Sequence, residues 1–168
     1  NFKFNNSPNI IAEQCQKSLK NHVNFIKNEL ERIAKNNRPV LLIGETGVGK
    51  STAAKHIHEL SDRNKEVILE VDAATINENL GDSKLFGTKV GAYTDATALQ
   101  GLLEITNGGT LFLDGITKMP KSIQNKLETF LDTGMFQPVG NTFPVKVDVR
   151  IIVATNDNIE KMVEEGTF

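Results

Sequence analysis

A glycine-rich segment, GETGVGKS at residues 44–51, has the residue types and spacing of the phosphate-binding pattern G-x(4)-G-K-S/T. Its glycines allow tight backbone turns, so that successive N–H groups can point at phosphate oxygens, and a following helix adds the positive end of its dipole. In this pattern Lys50 reaches the β- and γ-phosphates of a nucleotide, and the Ser51 hydroxyl completes a Mg²⁺ shell. The predicted nucleotide-contacting residues are Gly44, Glu45, Thr46, Gly47, Val48, Gly49, Lys50, Ser51 and Thr52. A turn that binds nothing is the weaker alternative, because the segment lies between an apolar run and a helical pattern.

Polar side chains close two further apolar runs. Asp114 ends the run TLFLD at 110–114 and is the second predicted Mg²⁺ ligand, because phosphate-loop enzymes hold the metal with a carboxylate from a neighbouring strand. Thr155 and Asn156 close the run at 148–155, at the carboxyl edge where open α/β sheets bind ligands. These two are candidates for sensing the γ-phosphate or positioning a water. The alternatives are a buried or capping role for Asp114 and capping of the next helix by the other two.

Hydrophobic patterning predicts the elements that must position these residues. Apolar runs predict four strands, and helical spacing predicts four helices. The predicted strands are 40–43, 66–71, 110–114 and 148–155, and the predicted helices are 9–36, 51–60, 120–132 and one from about residue 158. The first strand, VLLI, is a continuous apolar run typical of a strand buried on both faces. Strands that alternate with helices predict one α/β domain whose parallel sheet is covered on both faces.

Two of the helices carry more detailed predictions. The apolar face of the helix at 120–132 is predicted to consist of Ile123, Leu127, Phe130 and Leu131. Gly134 is predicted to end this helix. His56 and His58 are two residues apart on the helix at 51–60, so they point to different sides and make a poor metal-binding pair. Both histidines are predicted to lie on the surface.

Composition narrows the class of protein further. The 168 residues carry a formal net charge of −2 and one cysteine. The length predicts a single domain, the charge argues against direct DNA binding by this chain, and one cysteine excludes an internal disulfide framework. No apolar run approaches the roughly 18 residues of a membrane span and no signal-like segment is present, so we expect no membrane contact and a cytoplasmic location. Both ends look cut, which indicates a piece of a longer protein.

In order and spacing, these motifs resemble the AAA+ domain of bacterial sigma-54-dependent transcriptional activators (NtrC-like enhancer-binding proteins), which include the nitrogen-regulator and phage-shock activators. The matching segments are RPVLLIGETGVGKS, SKLFGTKVGAYTDA, LLEITNGGTLFLD, IQNKLETFLDTGMFQPVG, DVRIIVATN and MVEEGTF. The resemblance implies a three-layer P-loop (AAA+) fold over residues 1–168 that binds ATP or ADP with Mg²⁺. It also implies a homo-oligomeric ring, commonly a hexamer, that remodels sigma-54 RNA polymerase to activate transcription. The arginine fingers and helical lid of the family would lie beyond residue 168.

The resemblance assigns a partner-binding loop to one segment. The family consensus GAFTGA, which touches the sigma factor, reads GAYTDA here, and its residues are Gly91, Ala92, Tyr93, Thr94, Asp95 and Ala96. Tyr93 keeps an aromatic ring at the position of the usual phenylalanine, and Thr94 keeps the central threonine. Asp95 replaces a glycine, which adds a charge and disfavours positive φ. The alternative is a loop that no longer engages sigma-54.

Three positions depart from the family pattern at the predicted active site. The Asp-Glu pair of the family is Asp114-Gly115 here, so the glutamate that polarises the attacking water is missing. The asparagine of the family at the second strand end is Asp72, and the usual glutamate after the loop lysine is Ser51. The predicted catalytic residues are thus Asp114, Asp72, Asn156 and Thr155.

Two interpretations of these departures remain open. Either Asp72 replaces the missing glutamate as the base, or the domain is a degenerate docking module that binds nucleotide with little or no ATPase activity. Weak hydrolysis is expected in both cases. A small-molecule P-loop kinase is a third and weaker possibility, because the sequence has no evident basic substrate clamp.

Overall fold

The architecture is a parallel sheet with helices on both faces. The computed structural model describes residues 26–78, 80–89 and 98–167. In this part of the chain, four parallel strands form a sheet in the order β1-β6-β3-β2. These strands are β1 (Val40–Ile43), β2 (Ile68–Asp72), β3 (Thr110–Asp114) and β6 (Arg150–Thr155). A separate antiparallel pair joins β4 (Met135–Phe136) to β5 (Val145–Lys146). The four predicted strands are confirmed, with the start of two of them shifted by a few residues.

Six α-helices surround the sheet in the described residues. They are α1 (residues 26–34), α2 (Lys50–Glu59), α3 (Gly81–Phe86), α4 (Leu102–Ile105), α5 (Lys121–Thr133) and α6 (Ile159–Glu164). The predicted helices at 51–60, 120–132 and from about 158 are confirmed within about one residue. Of the helix predicted at 9–36, residues 9–25 lie outside the described part of the chain. Helices α3 and α4 and the β4–β5 pair were not predicted, because such short elements hold too few residues to display a period.

The strands bury alternate residues in two separate cores, one on each face of the sheet. On one face, Phe112, Ile152 and Ala154 pack with Ala54 and Ile57 of α2 and with α1. On the other face, the core contains Leu111, Leu113 and Ile151 together with apolar residues of α3, α4 and α5. Because successive strand residues point to opposite faces, one run of apolar residues supplies both cores. The predicted three-layer α/β fold is therefore confirmed.

The prediction that β1 is buried on both faces is wrong. Val40 and Leu42 pack into the core beneath α1 and α2, whereas Leu41 is 45% exposed and Ile43 is 60% exposed. The strand lies at the edge of the sheet, and on its second face Leu41 lines a groove with residues of α5 and α6. An apolar run does not distinguish a central strand from an edge strand, because that difference depends on the tertiary neighbours.

The prediction for one residue of the apolar face of α5 is also wrong. Ile123, Leu127 and Phe130 are buried as predicted, but Leu131 is 40% exposed. Leu131 lies about 100° around the helix from Phe130, on the side towards β1, where it lines a shallow groove with Leu41. Gly134 ends the helix as predicted, in a left-handed conformation with φ of 67°, and its N–H donates to the Phe130 carbonyl.

Two buried arginines connect the amino-terminal ends of the strands to the segments around them. The Arg150 guanidinium donates to the carbonyls of Ile33 and Ala34 at 2.8 and 3.1 Å, which satisfies the last turn of α1. Arg63 donates to the Gly108 carbonyl at 2.9 Å and pairs with the Asp148 carboxylate at 2.6 Å. These contacts join segments that are far apart in the sequence.

The prediction that both histidines of α2 lie on the surface holds for His56 and is wrong for His58. His56 is exposed and pairs with Glu59 at 2.9 Å, whereas His58 is only 4% exposed. The Nδ1 atom of His58 lies 2.9 Å from the hydroxyl oxygen of Thr110, at the start of β3. A tertiary hydrogen bond thus allows a polar ring in a core position, which helical spacing alone does not reveal.

Burial of His58 makes a pH dependence of stability testable. Removal from water lowers the pKa of His58 below its ordinary value of 6.5, and the nearby Arg150 lowers it further. Since the folded protein holds the proton less tightly than the unfolded chain, the free energy of unfolding should fall as pH decreases through the window below about 6.5. We expect urea midpoints to decrease between pH 7.5 and pH 5.5, and to decrease less in His58→Asn.

The matched control for this prediction is the exposed histidine of the same helix. His56→Asn should keep the pH dependence of the parent protein, because it leaves the buried ring of His58 in place. Equal slopes in the parent and in His58→Asn would show that His58 does not titrate on unfolding.

Candidate functional site

The carboxyl ends of the four parallel strands meet at one edge of the sheet. Asp72, at the end of β2, is in register with Asp114 at the end of β3, and Asp114 is in register with Ala154 of β6. Ile43, at the end of β1, is in register with Thr155. Sheet topology therefore brings the glycine-rich segment after β1 to the same edge as the predicted polar residues after the other strands.

The glycine-rich segment turns sharply between β1 and α2. Gly47 and Gly49 have φ of 85° and 92°, a region that side chains with a Cβ rarely adopt. A Cβ added at either position would meet no atom within 4 Å, so the backbone conformation and not crowding requires glycine there. Helix α2 begins at Lys50 without a side-chain cap, which leaves its first N–H groups directed at the loop.

The ammonium of Lys50 lies across this loop. Its Nζ donates to the carbonyls of Gly44 and Glu45, at 2.8 and 2.9 Å. These bonds hold a positive charge over the backbone turn that precedes α2. The arrangement suits a polyanionic ligand, because both the charge and the helix N-terminus attract anions.

A cavity of about 340 Å³ opens between the loop and the strand ends. Its lining residues are Thr46, Gly47, Gly49, Lys50, Ser51, Asp72, Asp114, Gly115, Lys118 and Asn156. Most of the predicted site residues meet here. The predicted residues that do not line the cavity are Gly44, Glu45, Val48, Thr52 and Thr155. Cavities of about 430 and 500 Å³ lie elsewhere, and neither is lined by the glycine-rich loop.

Thr155 belongs to a buried network behind the cavity. Its side chain is fully buried, its hydroxyl oxygen accepts from the Asp157 N–H at 3.0 Å, and it lies 3.1 Å from the Thr117 hydroxyl. Thr117 in turn donates to the Asp157 carboxylate. The structure thus places Thr155 as a link between β6 and the turn after β3, while Asn156 is exposed and lines the cavity. The N-cap of α6 is neither of them but Asn158, which accepts from the Lys161 N–H.

Asp72 has a structural contact as well as a place on the cavity wall. One carboxylate oxygen accepts from the Ala74 N–H at 2.9 Å and caps the short 3₁₀ turn of residues 73–75. Asp72 is exposed and faces the cavity beside Asp114. It is thus able to cap the turn with one oxygen and present the other to a ligand.

The donor set at the cavity fits a magnesium ion that shares its shell with phosphate. Ser51 and Asp114 line the same cavity. No group of three or more His, Cys, Asp or Glu side chains within residues 26–78, 80–89 and 98–167 is placed to hold a metal by itself. Mg²⁺ is commonly held in this way, by one or two carboxylates together with substrate phosphates.

Glu70, which the sequence analysis did not select, lies close behind Ser51. Lys55 pairs with Glu70 at 2.9 Å and lowers the pKa of its carboxyl group, and the Ser51 hydroxyl lowers that pKa further. Glu70 is therefore ionised at neutral pH and attracts the proton of the Ser51 hydroxyl, which leaves the lone pairs of the serine oxygen available to a cation.

Lys118 is the second residue that the sequence analysis missed. It ends the 3₁₀ turn of residues 116–118 and lines the cavity next to Gly115. Its position three residues after the strand-end glycine could have suggested that it belongs to the site. Only the turn, however, brings its side chain back to the cavity.

The predicted partner loop at 91–96 lies outside the described residues. The residues on either side of it are described: Thr88 and Leu99 exchange two backbone hydrogen bonds of 2.8 and 2.9 Å. The Lys89 N–H donates to the Val139 carbonyl at 3.0 Å. The residues that flank the segment are thus paired with each other and bound to the chain that follows α5.

These features define the fold of a P-loop NTPase. They are a parallel sheet with a glycine loop after its first strand, a lysine and a serine at the start of the next helix, and an aspartate at the end of another strand. The chain belongs to the family described as the Sigma-54 interaction domain, whose sequence profile matches residues 17–168. No helix in the described residues is long and apolar enough to cross a membrane.

Curated relatives agree with this family. The chain is 43% identical over 142 residues to the nitric oxide reductase transcription regulator NorR2 of Cupriavidus necator, covering 84% of this chain and 27% of that protein. It is 40% identical over 144 residues to the Psp operon transcriptional activator of Escherichia coli, covering 85% of this chain and 44% of that protein. The chain thus spans about a quarter to less than half of the length of these relatives.

Solved structures agree on the fold. NtrX from Brucella abortus, in a crystal structure with ADP, is similar with a TM-score of 0.77 and 36% identity, covering 95% of this chain and 38% of that one. A structure of the same protein with ATP gives a TM-score of 0.77 and 35% identity, covering 95% of this chain and 40% of that one. The P-loop NTPase domain of an E. coli sigma-54 activator, with a TM-score of 0.55 and 16% identity over 86% of this chain and 82% of that one, supports the fold alone.

Proposed function

We propose that this chain binds ATP or ADP with Mg²⁺ at the cavity beside the glycine-rich loop. The observation that carries the proposal is the convergence of loop, lysine and strand-end carboxylate: Lys50, Ser51 and Asp114 line one cavity although β3 follows the loop by some sixty residues. A nucleotide-bound relative of 36% identity supports the choice of an adenine nucleotide.

Each residue has a distinct task in this proposal. The loop amides and the N-terminus of α2 hold the phosphate chain, and Lys50 moves from the Gly44 and Glu45 carbonyls to phosphate oxygens. Ser51 and Asp114 would hold Mg²⁺, which when bound would neutralise charge on the nucleotide phosphates. Asn156 supplies an amide at the opposite wall, where it contacts the terminal phosphate or a water.

The wider role follows from the family. We propose that the chain is the AAA+ unit, over residues 1–168, of a homo-oligomeric transcriptional activator that acts on sigma-54 RNA polymerase through residues 91–96. The relatives that carry this domain include transcription regulators and a Psp operon activator. A partner of this kind places the protein in the cytoplasm, and this chain contributes no DNA contact of its own.

Hydrolysis by this chain is proposed to be weak. Gly115 has no side chain to polarise an attacking water, and an arginine finger from a neighbouring subunit is worth about a thousandfold or more in related NTPases. The second candidate function, a docking module in which bound nucleotide orders a partner surface without turnover, is favoured by the same glycine. A turnover of even a few ATP per minute by the isolated chain would contradict weak hydrolysis.

Titration calorimetry with Mg-ATP and Mg-ADP tests the core of the proposal. We expect saturable heat with both nucleotides. We expect none with adenosine, which has no phosphate. The absence of heat at millimolar Mg-ATP and Mg-ADP would reject nucleotide binding. Pull-down of sigma-54 by the full-length protein, with and without Mg-ATP, tests the partner separately.

Asp72 is the candidate base for the residual hydrolysis. Its carboxylate lines the cavity in register with Asp114, and one of its oxygens is left over from the cap on Ala74. If it activates the water, Asp72→Asn in the full-length protein should lower the rate by about a hundredfold, since general bases contribute that much or more. Asparagine can still accept from the Ala74 N–H, so the fold is preserved. Equal rates of phosphate release in both proteins would end this assignment.

A further inference from the structure

The turn after β3 folds one lysine back over the glycine at the strand end. Gly115 has φ of 76° and ψ of 43°, and its N–H donates to the Ala154 carbonyl at 2.8 Å. The Lys118 N–H then donates to the Gly115 carbonyl at 2.9 Å, which closes the turn. A Cβ built on Gly115 would lie 3.5 Å from Cδ and 4.0 Å from Nζ of Lys118. The stem of Lys118 therefore runs along the side of Gly115 that a side chain at this position would enter.

The two lysines of the cavity differ in their contacts. Lys50 donates to two loop carbonyls. The ammonium of Lys118 has no hydrogen bond or ion pair with another residue in the described parts of the chain, although Asp72 and Asp114 line the same cavity. A lysine without a partner is ordinary on an open surface, but this one stands on a cavity wall opposite a phosphate loop. Its charge is thus available to an anion held by the loop.

We propose that Lys118 is a second phosphate-binding cation, which contacts the terminal phosphate of ATP from the wall opposite the glycine-rich loop. This inference rests on the proposed nucleotide site. The loop and the start of α2 form one wall, and the residues after β2, β3 and β6 form the other. The phosphate that ADP lacks is the one that extends towards that second wall. A lysine there binds phosphate as a point charge and requires no fixed geometry.

In this proposal, the charge of Lys118 depends on the absence of a side chain at Gly115. A glutamate at position 115 would place its carboxylate within reach of the Lys118 ammonium and neutralise it, because even its Cβ would lie 4.0 Å from Nζ. With glycine there, the lysine charge is free to contact the terminal phosphate, which ADP lacks. The site is therefore built to retain ATP in preference to ADP.

Calorimetry with Mg-ATP and Mg-ADP on matched lysine variants tests this inference. Loss of a charge-assisted bond near the surface should weaken Mg-ATP binding by Lys118→Met about tenfold and Mg-ADP binding less than about threefold. The control is Lys121→Met, which removes the same charge from an exposed residue three positions on that does not line this cavity. It should leave both affinities within about twofold. Lys118→Arg, which keeps the charge, should retain most of the preference for ATP.

The outcomes separate this inference from the site on which it rests. If the unmodified chain binds both nucleotides and Lys118→Met changes neither affinity, or weakens both equally, the role of Lys118 is rejected and the nucleotide site stands. If the unmodified chain binds neither nucleotide, both proposals are rejected. Thermal unfolding of each variant checks that the fold is intact, and the selective loss of ATP affinity is a result that general unfolding does not produce.

Discussion

Replacing Lys50 with methionine should lower the affinity for Mg-ATP by about a hundredfold or more. Its ammonium already lies over the loop, 2.8 and 2.9 Å from two carbonyl oxygens, and would exchange these contacts for two phosphate oxygens. Charge-assisted hydrogen bonds contribute about 1.5–3 kcal/mol each, and 1.4 kcal/mol corresponds to a factor of ten. Two such bonds therefore account for at least two orders of magnitude. Titration calorimetry of both proteins measures the difference.

Lys65→Met is the control for this prediction. Lys65 is exposed in the turn between α2 and β2, away from the cavity, so the same change of charge should leave the affinity within about twofold of the parent. Lys50→Met removes the two bonds to the Gly44 and Glu45 carbonyls, so thermal unfolding of the variant is measured to check that its fold is intact. An unchanged affinity in Lys50→Met would mean that nucleotide, if bound, is held somewhere else.

Replacing Gly101 with alanine should destabilise the fold by about 3 kcal/mol or more, a large share of the roughly 5–15 kcal/mol of a typical domain. A Cβ at Gly101 would lie 2.4 Å from the nitrogen of Gly87, 2.5 Å from the carbonyl carbon of Phe86 and 2.7 Å from the Leu85 oxygen. All three are backbone atoms at the end of α3, so no side-chain rotation relieves the overlap. Urea unfolding at pH 7.5 measures the loss.

The matched control is a glycine with open space around it. A Cβ at Gly166 meets nothing within 4 Å, although its φ of 68° is unfavourable for alanine, so Gly166→Ala should cost only about 1 kcal/mol. A similar small loss in Gly101→Ala would mean that α3 and α4 separate easily. Gly87 and Gly101 also lie close to the paired residues Thr88 and Leu99, which flank the predicted sigma-54 loop.

Local sequence determined the fold class and the phosphate loop. The loop is a contiguous pattern in which Gly47 and Gly49 have positive φ in the structure, and its flanking strand and helix are short-range consequences of apolar runs and helical spacing. Asp114 was placed correctly at a strand end for the same reason. Because the carboxyl ends of parallel strands lie at one edge of a sheet, the residues at these ends were expected to lie close together.

Tertiary structure alone decided which side chains face what. The edge position of β1 exposes Leu41 and Ile43, a bond to Thr110 allows His58 to be buried, and a buried network withdraws Thr155 from the cavity. Lys118 reaches the site only because the turn at Gly115 folds back, and the need for glycine at 101 arises from a backbone 14 residues earlier. Each of these depends on a partner supplied by a distant or folded-back segment. Composition and periodicity describe a residue and its near neighbours along the chain, and so they carry no information about such partners.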